Sequence, residues 1–176
     1  MVTVNYTNSN GCSATSPVSN SLVVNPLPVP TFSAAPTAAV CVGASVTYTT
    51  QDLQSNYIWT VPGTAGTDYT ITSGGIGTAN NTVTLTWLTS GTKVVTVNYT
   101  NSNGCTATAA VSNSLVVNPL PVPTFTAAPT AAVCVGASVT YTTQDLQTNY
   151  IWTVPGTSGT DSVSYTHLTL PTNREV

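Results

Sequence analysis

Thr82-Val83-Thr84-Leu85-Thr86-Trp87-Leu88, followed by Lys93-Val94-Val95-Thr96-Val97-Asn98-Tyr99, decides the fold. In the first run Val83, Leu85 and Trp87 alternate with Thr82, Thr84 and Thr86. A period of two places the apolar set on one face of a strand and the threonines on the other. The second run sets Val95, Val97 and Tyr99 inward in the same way. Working outward, Ala44–Thr50 puts Val46 and Tyr48 on one face, and Asn56–Val61 puts Tyr57, Trp59 and Val61 together. Asp68–Thr72 offers Tyr69 and Ile71, and Val111–Val117 supplies Leu115 and Val117. Turn signals separate these runs at Val61-Pro62-Gly63, Ser73-Gly74-Gly75, Ser90-Gly91 and Asn103-Gly104. Asn103-Gly104 reads as a type I′ hairpin turn, since both residues tolerate positive φ. No segment carries a helical period with caps.

The chain repeats itself. Val2–Asp68 recurs as Val95–Asp161, an offset of 93. Over those 67 aligned positions six differ: Ser13/Thr106, Ser16/Ala109, Pro17/Ala110, Ser33/Thr126, Ser55/Thr148 and Ala65/Ser158. Every exchange is among Ser, Thr, Ala and Pro, as expected of a recent duplication inside a tandem array. Asn25–Pro30 and Asn118–Pro123 both read Asn-Pro-Leu-Pro-Val-Pro. Alternating prolines favour an extended, semi-rigid connector and cannot donate to a sheet ladder. The expected organisation is therefore residues 1–27 as the last strands of one repeat, 28–120 as one complete repeat, and 121–161 as the first strands of the next. Met1 sits where the next copy has Val94, which fits a valine codon taken as a start.

After Asp161 the similarity stops. Ser162–Val176 contains Val-Ser-Tyr-Thr-His-Leu-Thr-Leu-Pro-Thr, which resembles the translation of a transposon-type sequencing adapter. Residues 162–176 are accordingly read as a non-native tail and kept out of fold reasoning. They hold the chain's one His (His167), one Arg (Arg174) and one Glu (Glu175).

Composition narrows the function. Charged residues make up 4% of the chain, against about 25% in an ordinary soluble domain. Two basic residues and a net charge of −3 offer no cationic surface to nucleic acid or anionic lipid. No apolar run approaches the roughly 20 residues of a membrane-spanning helix, so membrane insertion is not expected. Residues 1–161 contain no His and no Glu, so neither a Ser–His pair nor a Glu acid/base pair is available, and no enzyme, catalytic residue or cofactor is expected. Asp52 and Asp68 read as turn and strand-end residues, and Lys93 as a solvated lysine protecting a strand.

About seven short strands per repeat, with turns every 8–12 residues, indicate an all-β antiparallel sandwich. Tyr57, Trp59, Trp87, Val95, Val97 and Tyr99 are the expected core anchors. Four cysteines, two per repeat, read as disulfides of an exported protein. Cys41 with Cys105 is the default pairing and leaves Cys12 and Cys134 with partners outside the chain. In a simple sandwich those two loops lie at opposite ends, so pairing across repeat junctions and free thiols remain open. No Cys-x-x-Cys spacing or His partner points to a metal.

Cys41-Val42-Gly43, Tyr57-Ile58-Trp59, Val83–Trp87, Gly91–Val97 and Asn103-Gly104-Cys105 together resemble the PKD-like (Ig-like) repeats of exported Bacteroidota surface proteins of the adhesin or gliding-associated type. The resemblance implies a cell-surface location, with type IX secretion as the route. Two roles follow. The first is a structural spacer or stalk that projects distal domains, with neighbouring repeats as its partners. The alternative is a binding module whose Thr/Asn-rich faces contact glycans or a cell-surface protein.

Overall fold

The computed structural model describes residues 1–156, so the adapter-like tail at 162–176 lies outside the described residues. All twelve described elements are strands. Two compact units divide the chain, residues 1–121 and 122 onward.

In the first unit, β1 (Val2–Val4) and β2 (Val18–Asn20) form a two-stranded antiparallel hairpin. Then follow β3 (Phe32–Ala34), β4 (Val40–Cys41), β5 (Ser45–Thr50), β6 (Ser55–Thr60), β7 (Tyr69–Gly74), β8 (Thr82–Trp87), β9 (Gly91–Thr100) and β10 (Val111–Asn118). These eight make two four-stranded sheets, ordered β3-β5-β8-β7 and β4-β10-β9-β6. The pairs are antiparallel except for β4, which lies parallel to β10 with Val40 opposite Val117 and Cys41 opposite Asn118.

The inner faces of the two sheets supply one core. Val46, Tyr48, Tyr57, Trp59, Tyr69, Val83, Leu85, Trp87, Val95, Val97, Tyr99, Leu115 and Val117 form a single buried cluster. The period-two alternation of β8 and β9 places their apolar residues inward. Ile71 departs from its expected place. A register shift in the β7–β8 ladder between Ile71 and Ser73 bends this edge strand and leaves Ile71 exposed.

Threonines take the outer face. The Thr47 and Thr84 hydroxyls lie 3.0 Å apart across the β5–β8 ladder, and the Thr82 hydroxyl donates to that of Thr49 at 3.3 Å. Such cross-strand pairs cover a sheet without charge. That arrangement is why so few charged residues suffice.

The hairpin turn at Asn101–Cys105 differs from the expected type I′. Gly104 has φ +78°, while Asn103 is not among the positive-φ residues. The Asn101 side-chain oxygen instead accepts the backbone N–H of Asn103 (3.1 Å) and of Cys105 (3.0 Å). The Gly104 N–H reaches the Asn101 carbonyl at 3.0 Å. The asparagine three residues before the glycine organises the turn, as an Asx motif does.

The second unit carries β11 (Phe125–Ala127) paired antiparallel with β12 (Thr142–Thr143). Phe125 opposite Thr143 and Ala127 opposite Thr142 repeat the β3–β5 register of Phe32 opposite Thr50 and Ala34 opposite Thr49, shifted by 93. The hairpin β1–β2 likewise repeats β9–β10: Val2 opposite Asn20 corresponds to Val95 opposite Asn113.

Candidate functional site

Asp68 and Lys93, two of the chain's few charged residues, meet near one end of the complete sandwich. The Val61-Pro62-Gly63 turn brings the chain back onto Asp68. Gly63 sits at φ +91°, and a Cβ there would lie 2.6 Å from the Asp68 side chain, so the close approach requires glycine. The half-buried Asp68 carboxylate accepts the Thr64 N–H at 2.8 Å and the Thr89 hydroxyl at 3.1 Å. Lys93 Nζ donates to the same Thr89 hydroxyl at 2.8 Å and lies 5.4 Å from the centre of the Trp87 ring. Lys93 is therefore buried on the core side of β9, not out in solvent.

This Asp68–Thr89–Lys93 chain braces β7, β9 and the turn between β8 and β9. The Thr64 N–H, then the Thr89 hydroxyl, hold the Asp68 carboxyl below its ordinary value of 3.8; desolvation opposes them, and the Lys93 charge adds to the lowering. A carboxylate with a depressed folded pKa contributes stability that is present above the unfolded value and lost as pH falls through the folded one. Wild type is therefore expected to lose stability below about pH 4 more steeply than Asp68→Asn. Denaturation midpoints measured at neutral and acidic pH check this; parallel slopes would remove Asp68 from the acid response. The arrangement contains no nucleophile–base pair, and among the described residues no cluster of three metal-ligating side chains occurs.

The six anchor residues Tyr57, Trp59, Trp87, Val95, Val97 and Tyr99 all lie in the core cluster. The Trp59 indole N–H donates to the Asn80 carbonyl at 2.7 Å, and the Tyr57 hydroxyl to the Gln51 carbonyl at 2.8 Å. The Tyr48 hydroxyl and Trp87 indole N–H are buried without a well-aligned partner. Burial pushes the Tyr48 phenol up from 10.0, and the nearby Trp87 N–H offsets part of that. Tyr48→Phe removes one orphaned polar atom at constant shape, so stability should be unchanged or rise by up to about 1 kcal/mol. A loss above about 2 kcal/mol in urea titration would mean the hydroxyl is satisfied.

All four cysteines are free: Cys12, Cys41 and Cys134 are exposed and Cys105 half-buried. The default Cys41–Cys105 bridge is corrected by the sheet register. Cys41 lies opposite Asn118, beside the Gly91 end of β9, since Gly91 faces Val117. Cys105 follows the turn at the Thr100 end. Ten residues of β9 separate the two ends, roughly 30 Å at about 3.3 Å per residue. A disulfide tolerates a Cα separation below about 7 Å.

The same register fixes where the chain joins the sandwich. Asn101 donates to the Pro26 carbonyl at 3.3 Å and Tyr99 to that of Val29 at 3.4 Å. The first proline connector thus meets the Thr100 pole. The second leaves after Asn118, at the Gly91 pole. None of the tryptophans and tyrosines of residues 28–120 is exposed; all are buried.

Comparison with curated proteins finds no match. Three solved structures align with low TM-scores. The PKD domain of the KIAA 1837 protein is 18% identical, with 51% of this chain and 90% of that one covered and a TM-score of 0.34. Domains 4 and 5 of the S-layer protein SbsC are 17% identical, with 59% of each chain covered and a TM-score of 0.34. The Ig1-2 module of the Drosophila receptor protein tyrosine phosphatase DLAR is 20% identical, with 57% of each chain covered and a TM-score of 0.32. Residues 27–114, half of the 176-residue chain, match the PKD-like domain family. With that match spanning β3 to β9 and the first half of β10, the chain belongs to the PKD-like domain family.

Proposed function

We propose that the repeats form a spacer or stalk in a large exported cell-surface protein, holding distal domains away from the cell for adhesion. The observation that carries this reading is the placement of the two connectors at opposite poles of the sandwich. A chain that comes in at one pole and leaves at the other extends with each added repeat. The Asn-Pro-Leu-Pro-Val-Pro connectors add stiffness. Family membership supports an extracellular module, and among the described residues no helix is long and apolar enough to cross a membrane. The glycan-binding alternative finds less support, because sugar platforms use exposed aromatic rings, and those of the complete repeat are turned inward.

Small-angle scattering of chains with one, two and three tandem copies of residues 28–120 tests the reading. The maximum dimension is expected to grow by a constant step of about 30–40 Å per repeat. Three copies that fold back to the length of one or two would sink it.

A further inference from the structure

We infer that a disulfide staples each repeat to the next, joining Cys41 of one repeat to the Cys105 position of the repeat that follows. It deepens the end-to-end stalk proposed above and rests on it. The contacts that carry it all lie within residues 1–121. At the exit pole, Cys41 pairs with Asn118, and the Val42 N–H donates to the Asn118 carbonyl at 2.9 Å. Asn118 opens the connector Asn118-Pro119-Leu120-Pro121-Val122-Pro123. Cys41 is therefore one strand spacing, about 4.8 Å, from the residue at which the chain leaves.

At the entry pole, the Asn101 side-chain amide donates to the Pro26 carbonyl at 3.3 Å, while its oxygen accepts the Cys105 N–H at 3.0 Å. Pro26 is the second residue of the equivalent connector, Asn25–Pro30. One side chain thus separates Cys105 from the connector backbone. In a tandem array every connector is the exit of one repeat and the entry of the next. Its first residue pairs with Cys41 of the repeat before, and its second is held beside Cys105 of the repeat after. Consecutive Cα atoms are about 3.8 Å apart. The two cysteines flank a single Asn-Pro dipeptide, whereas within one repeat the ten residues of β9 hold them apart.

Both thiols are placed for this role. Val40 and Val42 pack against the core, so Cys41 between them turns outward and is exposed. Cys105 is half-buried in a turn, with its Sγ 3.9 Å from the Asn103 carbonyl, and takes no part in the core cluster. Two cysteines per repeat, one at each pole, supply one bridge per junction. The bond forms by exchange with a small-molecule disulfide such as oxidised glutathione. One cysteine thiolate attacks it and expels one reduced thiol, and the second thiolate displaces the other. Two protons and two electrons leave the cysteine pair and end on the two glutathione thiols.

All core-cluster residues lie between Val46 and Val117. Two tandem copies of residues 26–118 therefore hold two complete cores and one intact connector, and they test the staple. Each copy carries two cysteines, Cys41 and Cys105. With oxidised glutathione the folded pair should lose two thiols, and peptide mapping should join Cys41 of the first copy to Cys105 of the second. Cys41→Ser in the first copy, or Cys105→Ser in the second, should abolish the bridge. The same substitutions in the opposite copies should leave it in place. Thiols that stay free or capped singly by glutathione, a bridge within one copy, a bridge from the first Cys105 to the second Cys41, or a bridge between molecules would each overturn the proposal. Scattering of the same protein separates the two proposals. An unbridged pair that lengthens removes the staple and leaves the stalk standing, and an unbridged pair that does not lengthen removes both.

Discussion

Trp87→Ala should cost the complete sandwich about 3–5 kcal/mol, enough to leave residues 28–120 unfolded or nearly so. Trp87 is fully buried on β8, between Tyr69 at 5.7 Å and the Lys93 ammonium at 5.4 Å. Removing the indole opens a cavity at the meeting point of both sheets. It also strips the aromatic face from the one buried cation among the described residues. A small domain holds about 5–15 kcal/mol in all, so the effect is comparable to the total. Chemical denaturation of residues 28–120 is the measurement. A loss below about 1 kcal/mol would mean that Trp87 is not the anchor its burial indicates.

Lys93 separates packing from charge, and two substitutions should behave in opposite ways. Lys93→Met keeps a long apolar stem against Trp87 and gives up one hydrogen bond to Thr89, so a cost of about 1 kcal/mol or less is expected. Lys93→Glu puts a second carboxylate beside Asp68, in a place already poor in water, and should cost about 3–5 kcal/mol. Equal losses would show that the site tolerates either sign of charge and that Lys93 serves by shape alone. A large loss for Met would instead make the ammonium the essential part.

The alternation of Thr82–Trp87 and Lys93–Tyr99 makes the inward faces of β8 and β9 legible in the sequence, because each strand pairs on both edges and packs one face on the core. The same alternation places Lys93 on the face of Val95, Val97 and Tyr99. Its charge argues for solvent, and the Thr89 and Trp87 partners that admit it inside come from another strand and turn. The turn at Asn101 escapes a sequence reading for a different reason. Asn103-Gly104 carries a strong local signal, yet the Asn101 side chain captures two backbone N–H groups and takes over the geometry. The parallel pairing of β4 with β10 joins residues 77 apart in sequence, and no short pattern reports such a partner. That pairing is what separates Cys41 from Cys105. The Asp68–Thr89–Lys93 chain is obscure in the same way: three residues on separate elements, each ordinary by itself.

Burial of Lys93 has a consequence for digestion. The chain has two basic residues, Lys93 and Arg174, so a protease that cuts only after lysine or arginine has a single target before the tail. That target lies inside a ten-residue strand, paired there with Leu115 of β10, with its side chain in the core. Cleavage there must wait for the sandwich to open. The rate of trypsin cutting at Lys93 thus reads the population or rate of unfolding of this one domain, with no background from the rest of residues 1–161.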